Sequence, residues 1–190
     1  MTYFFQKKQG AHFIFFILLI FISAAFVHTA AAEETRTINI GEGDEWHYFK
    51  GTVEPPKHWN QIGFDYSSWQ KGKAGFGYGP GKHNTLLGDM KGKYKSIYVR
   101  KDFNVNDSHN ITRIFLSLIC DGPFIAYLDG IEAIRSRRRQ TGEIYDMSGF
   151  AHELDHDTNV IAFKCSNDDI NSDDFSFMPS FQLDEKDHQH

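Results

Sequence analysis

Apolar and polar residues alternate along most of this chain with a period of two. Between Arg113 and Arg135, Ile114, Leu116, Leu118 and Cys120 alternate with Phe115, Ser117 and Ile119, which puts one set of side chains on each face of a strand. The turn residues Asp121-Gly122-Pro123 follow, and Phe124 to Leu128 is a second β-rich run. Asp129-Gly130 then leaves only two residues before Ile131 to Arg135, a spacing and composition that predict a type I′ hairpin.

The same reading predicts strands at Thr37 to Ile40, Trp46 to Lys50, Tyr94 to Val105, Asn159 to Cys165 and Phe175 to Leu183. Residues 51–81 are rich in turn formers, with Pro55-Pro56 excluding regular structure. Trp59, Phe64 and Trp69 can pack that segment from within, since a long loop in a compact domain needs its own core. Ser136 to Gly149 reads as a polar, turn-rich connection, and Ser166 to Asp174 as an acidic loop. No internal repeat is visible, and beyond the N-terminal run no segment keeps a 3.6-residue period over three turns. Many short strands with frequent turns predict an all-β, antiparallel β-sandwich.

The first residues read as an address. Lys7 and Lys8 precede an apolar run from Phe13 to Ile22 that continues to Val27, and Ala30-Ala31-Ala32 is a small-residue cleavage site. Residues 1–32 are therefore expected to be a signal peptide, with an uncleaved anchor as the alternative, and the chain is expected to be secreted or periplasmic. One domain is expected over residues 33–183, and residues 184–190, DEKDHQH, as a disordered tail. The whole chain carries a formal charge of −5, and removing Lys7 and Lys8 with the leader makes the remainder more acidic. A net negative chain repels phosphate backbones, which argues against nucleic acid as a partner. The mean hydropathy of −0.46 argues against a membrane span after cleavage. Cys120 and Cys165 are a candidate disulfide in an oxidising compartment, with two buried free thiols as the alternative.

The residues also resemble a family. The stretch IFLSLICDGPFIAYLDGIEAIR, from Ile114 to Arg135, is similar to galactose-binding-like jelly-roll domains of secreted bacterial proteins of carbohydrate-binding-module type. WHYFKGTVEPPKHWNQIGFDYSSWQKGKAGFGYG resembles the opening of such domains, YKSIYVRKDFNV their Tyr-x-Arg-Lys-x-Phe strand, HDTNVIAFKC a later strand and NSDDFSFMPSFQL the closing one. The likeness spans about Trp46 to Leu183. It departs from the pattern at Cys120, where an acidic residue is usual, at Asp129 for asparagine, and at Asp157 for glycine. The resemblance implies non-catalytic recognition of a carbohydrate or cell-surface glycan. A structural sandwich that binds another surface protein is the alternative.

Candidate ligand-binding residues are Trp46, Tyr78, His83, Asn84 and Arg137. Aromatic rings stack on sugar C–H faces, while amides and guanidinium groups fix hydroxyls and acids. The glycines at 75, 77, 79 and 81 fit a loop presenting Tyr78, His83 and Asn84; they match no phosphate-binding pattern. Asp168, Asp169, Asn171 and Asp173 form an oxygen-rich candidate calcium site without the glycine and distal glutamate of an EF-hand. His152-Glu153-Leu154-Asp155-His156 satisfies H-E-x-x-H, a zinc hydrolase motif only where a helix puts both histidines on one face. Gly149 before it and the β-rich run after it leave no room for that helix. There is no G-x-S-x-G nucleophile, and nothing singles out a pair of carboxylates for glycoside hydrolysis.

Overall fold

The computed structural model describes residues 34–186. The expected signal peptide, residues 1–32, lies outside the described residues, as do residues 187–190 of the expected tail. No described helix is long and apolar enough to cross a membrane.

Twelve strands are described: β1 (Thr35–Ile40), β2 (Glu45–Lys50), β3 (Gln70–Lys73), β4 (Phe76–Tyr78), β5 (Thr85–Leu86), β6 (Ser96–Val105), β7 (Ile111–Cys120), β8 (Phe124–Leu128), β9 (Ile131–Ser136), β10 (Gln140–Asp146), β11 (Asp157–Ser166) and β12 (Phe175–Lys186). They form two sheets. The first runs β10-β7-β12-β4-β5, with β1 also paired to β12, and the second runs β3-β2-β6-β11-β8-β9. All the named pairings are antiparallel except β4 with β5. From β6 onward the chain passes back and forth between the sheets, the winding of a jelly-roll β-sandwich.

The period of two explains the core. Ile114, Leu116, Leu118 and Cys120 point inward from β7, and Phe175, Phe177, Phe181 and Leu183 from β12. They meet Ile97, Val99, Phe124, Ala126, Ile161 and Phe163 of the second sheet. Aromatic contacts join the layers, with Phe163 and Phe177 at 5.5 Å and Tyr48 and Phe76 at 5.3 Å between ring centres. Cys120 and Cys165 are bonded, so a disulfide staples β7 of one sheet to β11 of the other.

The central hairpin forms as its sequence requires. Leu128 pairs with Ile131 across Asp129 and Gly130, whose φ angles are 50° and 89°. A Cβ at Gly130 would meet Gln61 Cγ at 2.7 Å, so glycine serves both the turn and a close approach of the β2–β3 loop.

That loop, residues 51–69, lies over the outer face of the second sheet. Trp59 and Trp69 bury Tyr98, Val160 and Ala162 in a second apolar cluster, with Phe49, Phe64, Tyr66 and Tyr127 packed around it. Arg100, 0% exposed, anchors the loop: it donates to the carbonyls of Trp59 at 2.8 Å and Gln61 at 3.2 Å, pairs with Asp102 at 2.9 Å, and lies over the Tyr66 ring. Such a buried cation is tolerable because its charge is paired and both its terminal nitrogens find acceptors, although its Nε–H is buried without one.

Two expectations are corrected. The segment after Ser136 is a strand, β10, because an edge strand facing solvent needs no apolar alternation to reveal it. Asp184, Glu185 and Lys186 are not a disordered tail; β12 continues through them, paired to β1. Asp184 is 1% exposed and Glu185 2%, held by Thr37, Arg113 and Arg36.

Candidate functional site

Most of the sequence-selected ligand residues turn out to hold the fold together. Trp46 is 0% exposed, with its ring 5.9 Å from that of Phe163, so it has no face left for a sugar. Tyr78 is likewise buried, and its hydroxyl donates to the carbonyl of Ser172 at 2.9 Å, pinning the acidic loop. Burial raises its phenol pKa. His83 is half-buried and lies against Gly77, where a Cβ would meet its Nδ1 at 2.5 Å. Asn84 spends its amide on the carbonyl of Ala74 at 2.8 Å. The glycine-rich loop therefore closes on itself and does not present these side chains together.

The proposed calcium ligands do not converge. Asp169 accepts the backbone N–H of Asn171 at 2.9 Å, and Asp173 is committed to Lys91, which holds its carboxyl below the usual range. Among the described residues, Asp168, Asp169 and Asp173 do not form a group of three whose ligand atoms all lie within 4.8 Å of one another. The H-E-x-x-H segment lacks its helix too: residues Ser148–Glu153 form a 3-10 turn, after which the chain is extended. His152 pairs with the neighbouring Glu153 at 2.9 Å, while His156 lies 3.6 Å from Asp107.

Arg137 is different. It lies in the β9–β10 turn, exposed, with no hydrogen-bond or ion-pair partner among the described residues. The turn is stitched from beneath by Gln140, 5% exposed, whose side-chain amide donates to Ser136 Oγ and the carbonyl of Arg138, both at 2.8 Å. Next to it, Arg139 pairs with the buried Asp121 at 3.1 Å. Arg137 is thus displayed by a turn braced through the side chains of Gln140 and Ser136.

It lines a cleft of about 190 Å³ on the outer face of the second sheet, together with Arg135, Lys164, Ser136, Ser166 and Ile125. Strand register builds this cleft. Arg135 pairs with Ile125 across β9 and β8, and Ile125 pairs with Lys164 across β8 and β11, so the three stand in one row. The row continues inward as Tyr98 on β6 and Phe49 on β2, where the Trp59 loop covers it. Cys165 points into the core between Lys164 and Ser166, so the disulfide sits directly beneath the cleft floor.

The electrostatics are cationic. Arg135 binds Glu132 through two hydrogen bonds, 2.7 and 2.6 Å, and that carboxylate raises its pKa further. Lys164 reaches Glu54 at 3.0 Å and lies over the Tyr98 ring. Arg137 adds an unpaired guanidinium, and two serine hydroxyls complete the lining. Two signals in the sequence pointed here unused: Arg135 and Arg137 share strand parity, and Lys164 continues the outward-facing set of Val160 and Ala162.

The fold is similar to a β-sandwich portion of several solved glycoside hydrolase structures. A beta-glucuronidase of Bacteroides uniformis matches 79% of this chain at a TM-score of 0.54 and 15% identity. A glycosyl hydrolase family 2 member from Bacteroides cellulosilyticus matches 77% at 0.54 and 14% identity, and a beta-glucuronidase from glycoside hydrolase family 2 matches 80% at 0.53 and 13% identity. The matched part is 18%, 20% and 18% of those chains, so this chain corresponds to about a fifth of each. No protein-family model matches the sequence, and no curated protein does.

Proposed function

We propose that this chain is a secreted or periplasmic, non-catalytic carbohydrate-binding domain, and that the Arg135–Arg137–Lys164 cleft takes the carboxylate of an acidic sugar. The observation that carries the reading is Arg137, an unpaired guanidinium held on a stitched turn beside Arg135 and Lys164, whose charges are paired with Glu132 and Glu54. A guanidinium binds a carboxylate through paired N–H donors. The neighbouring folds, named as beta-glucuronidases, supply the carbohydrate context. The cleft lining holds no carboxylate, whereas glycoside hydrolysis in its usual form needs two flanking the scissile bond. The inter-sheet disulfide supports an oxidising compartment.

A screen of immobilised glycans, half of them bearing uronic acids, tests this. Retention confined to uronate-bearing glycans, and lost in Arg137→Ala, is the expected result. Equal retention of neutral glycans, or binding indifferent to Arg137→Ala, removes the cleft from the account. No retention of any glycan removes the carbohydrate reading itself.

A further inference from the structure

At the end of the sandwich where β6 turns into β7, three metal-ligating side chains come together from two separate loops. Asp107 caps the 3-10 turn Ser108–Asn110, His109 lies within that turn, and His156 stands just before β11. Their ligand atoms all lie within 4.8 Å of one another. Asp107 Oδ1 is 3.1 Å from His109 Nδ1 and 3.6 Å from His156 Nδ1, and the two imidazole rings lie 5.1 Å apart. A tetrahedral ion with bonds of about 2.0–2.1 Å holds its donor atoms about 3.3 Å apart. The two observed separations bracket that spacing.

Groups other than the ligands hold this arrangement. Glu185, 2% exposed and paired with Arg36, accepts the backbone N–H groups of Asn106 at 2.8 Å and Asp107 at 2.7 Å. Asp107 Oδ2 accepts from Asn110 at 3.1 Å, and its Oδ1 accepts the backbone N–H of His109 at 2.9 Å. The carboxylate is therefore oriented before any ion arrives, as outer contacts orient the ligands of metal sites. Both histidines are exposed, which leaves an entry path and room for a further ligand.

We propose that Asp107, His109 and His156 bind one divalent ion of the zinc class, with a coordination position open to solvent, and that the ion ties the β6–β7 turn to the start of β11. Two imidazoles and one carboxylate suit zinc; calcium and magnesium call for an all-oxygen shell. The H-E-x-x-H spacing is split by this arrangement: His156 contributes, while His152 is turned toward Glu153. The site stands apart from the cationic cleft and does not rest on the sugar-binding reading.

Calorimetric titration of the untagged protein with zinc chloride in a non-chelating buffer, repeated with calcium chloride, tests it. His109→Ala, His156→Ala, His152→Ala and the pair His188→Ala and His190→Ala are titrated in parallel, with melting curves to confirm that each is folded. One zinc per chain is expected, with no comparable calcium binding. Affinity should fall by about tenfold or more in His109→Ala and His156→Ala and stay unchanged in His152→Ala and the tail pair. Absence of one-to-one zinc binding overturns the proposal. So does a loss that follows His152 or the tail histidines and spares His156.

Discussion

The outer face of the second sheet divides into two halves along one row of cross-strand neighbours. On one half, Phe49 and Tyr98 lie under Trp59 and Trp69 of the β2–β3 loop, with ring centres 5.4 Å (Phe49–Trp69) and 5.2 Å (Trp59–Tyr98) apart. On the other half the same row continues as Lys164, which pairs with Glu54 of that loop at 3.0 Å, and then as Ile125 and Arg135. The aromatic half is spent on burial, since large apolar rings gain most by leaving water. Under the loop a charge is kept where it is paired, as Arg100 is with Asp102, whereas Arg137 stands unpaired on the half left open. In this domain, aromatic content therefore marks where the fold is closed, and the chemistry that remains free is carried by Arg137.

That division can be broken from either side. Trp59→Ala should be the costliest change on the covered half, at about 3–5 kcal/mol for a buried tryptophan, read by denaturant unfolding. A cost below about 1 kcal/mol would show that the loop is not packed as described. Removing the disulfide as Cys120→Ala with Cys165→Ala should cost about 3–4 kcal/mol, the chain-entropy value for a crosslink spanning 45 residues. Because Cys165 lies under the cleft floor, glycan binding should weaken in the same variant.

Asp129 gives a smaller and pH-dependent effect. Burial raises its pKa to about 7, and the carboxylates of Asp155 and Asp102 add to the rise against the opposing hydrogen bond from Val160 N–H at 2.6 Å. Its Oδ2 is buried without a hydrogen-bond partner in the protein. The folded state thus takes up a proton that the unfolded chain, with an ordinary aspartate near 3.9, does not. The stabilisation is complete below the unfolded pKa and is lost as pH rises through the folded value. Relative to Asp129→Asn, the native protein should gain stability on going from pH 8 to pH 5, by about 1–2 kcal/mol after discounting for partial exposure. A flat difference between the two melting profiles would contradict the assignment. The smallest stability effect belongs to the open half, where Arg137→Ala should stay within about 0.5 kcal/mol of the native protein.

Alternation and turn chemistry made the sandwich legible in the sequence. The I′ hairpin and the packing role of Trp59, Phe64 and Trp69 follow from local residue types, whereas the sequence offered Cys120 and Cys165 as a pair only beside two free thiols, and the structure joins them. Strand β10 was hidden because its exposed edge carries Thr141, Glu143 and other polar residues, and the end of β12 because buried Asp184 and Glu185 look like a tail until their partners are known. Asp157 stands where the resembled pattern has glycine, and its φ of 90° shows why glycine suits that position. Among site residues, only Arg137 reaches the cleft. Trp46 and Tyr78 could not be told from core aromatics by sequence, since burial depends on which sheet covers them. The grouping of Arg135 with Lys164 required the register of three strands.

The most direct test is a calorimetric titration of one uronate-bearing oligosaccharide and its neutral counterpart into the native protein and into Arg137→Ala. Binding of the acidic sugar alone, weakened about tenfold or more in the variant, as befits loss of a charged hydrogen bond, with both proteins melting at the same temperature, is the expected result. Equal affinity for the two sugars, or an affinity untouched by Arg137→Ala, would contradict the assignment of the open cationic half as the binding site.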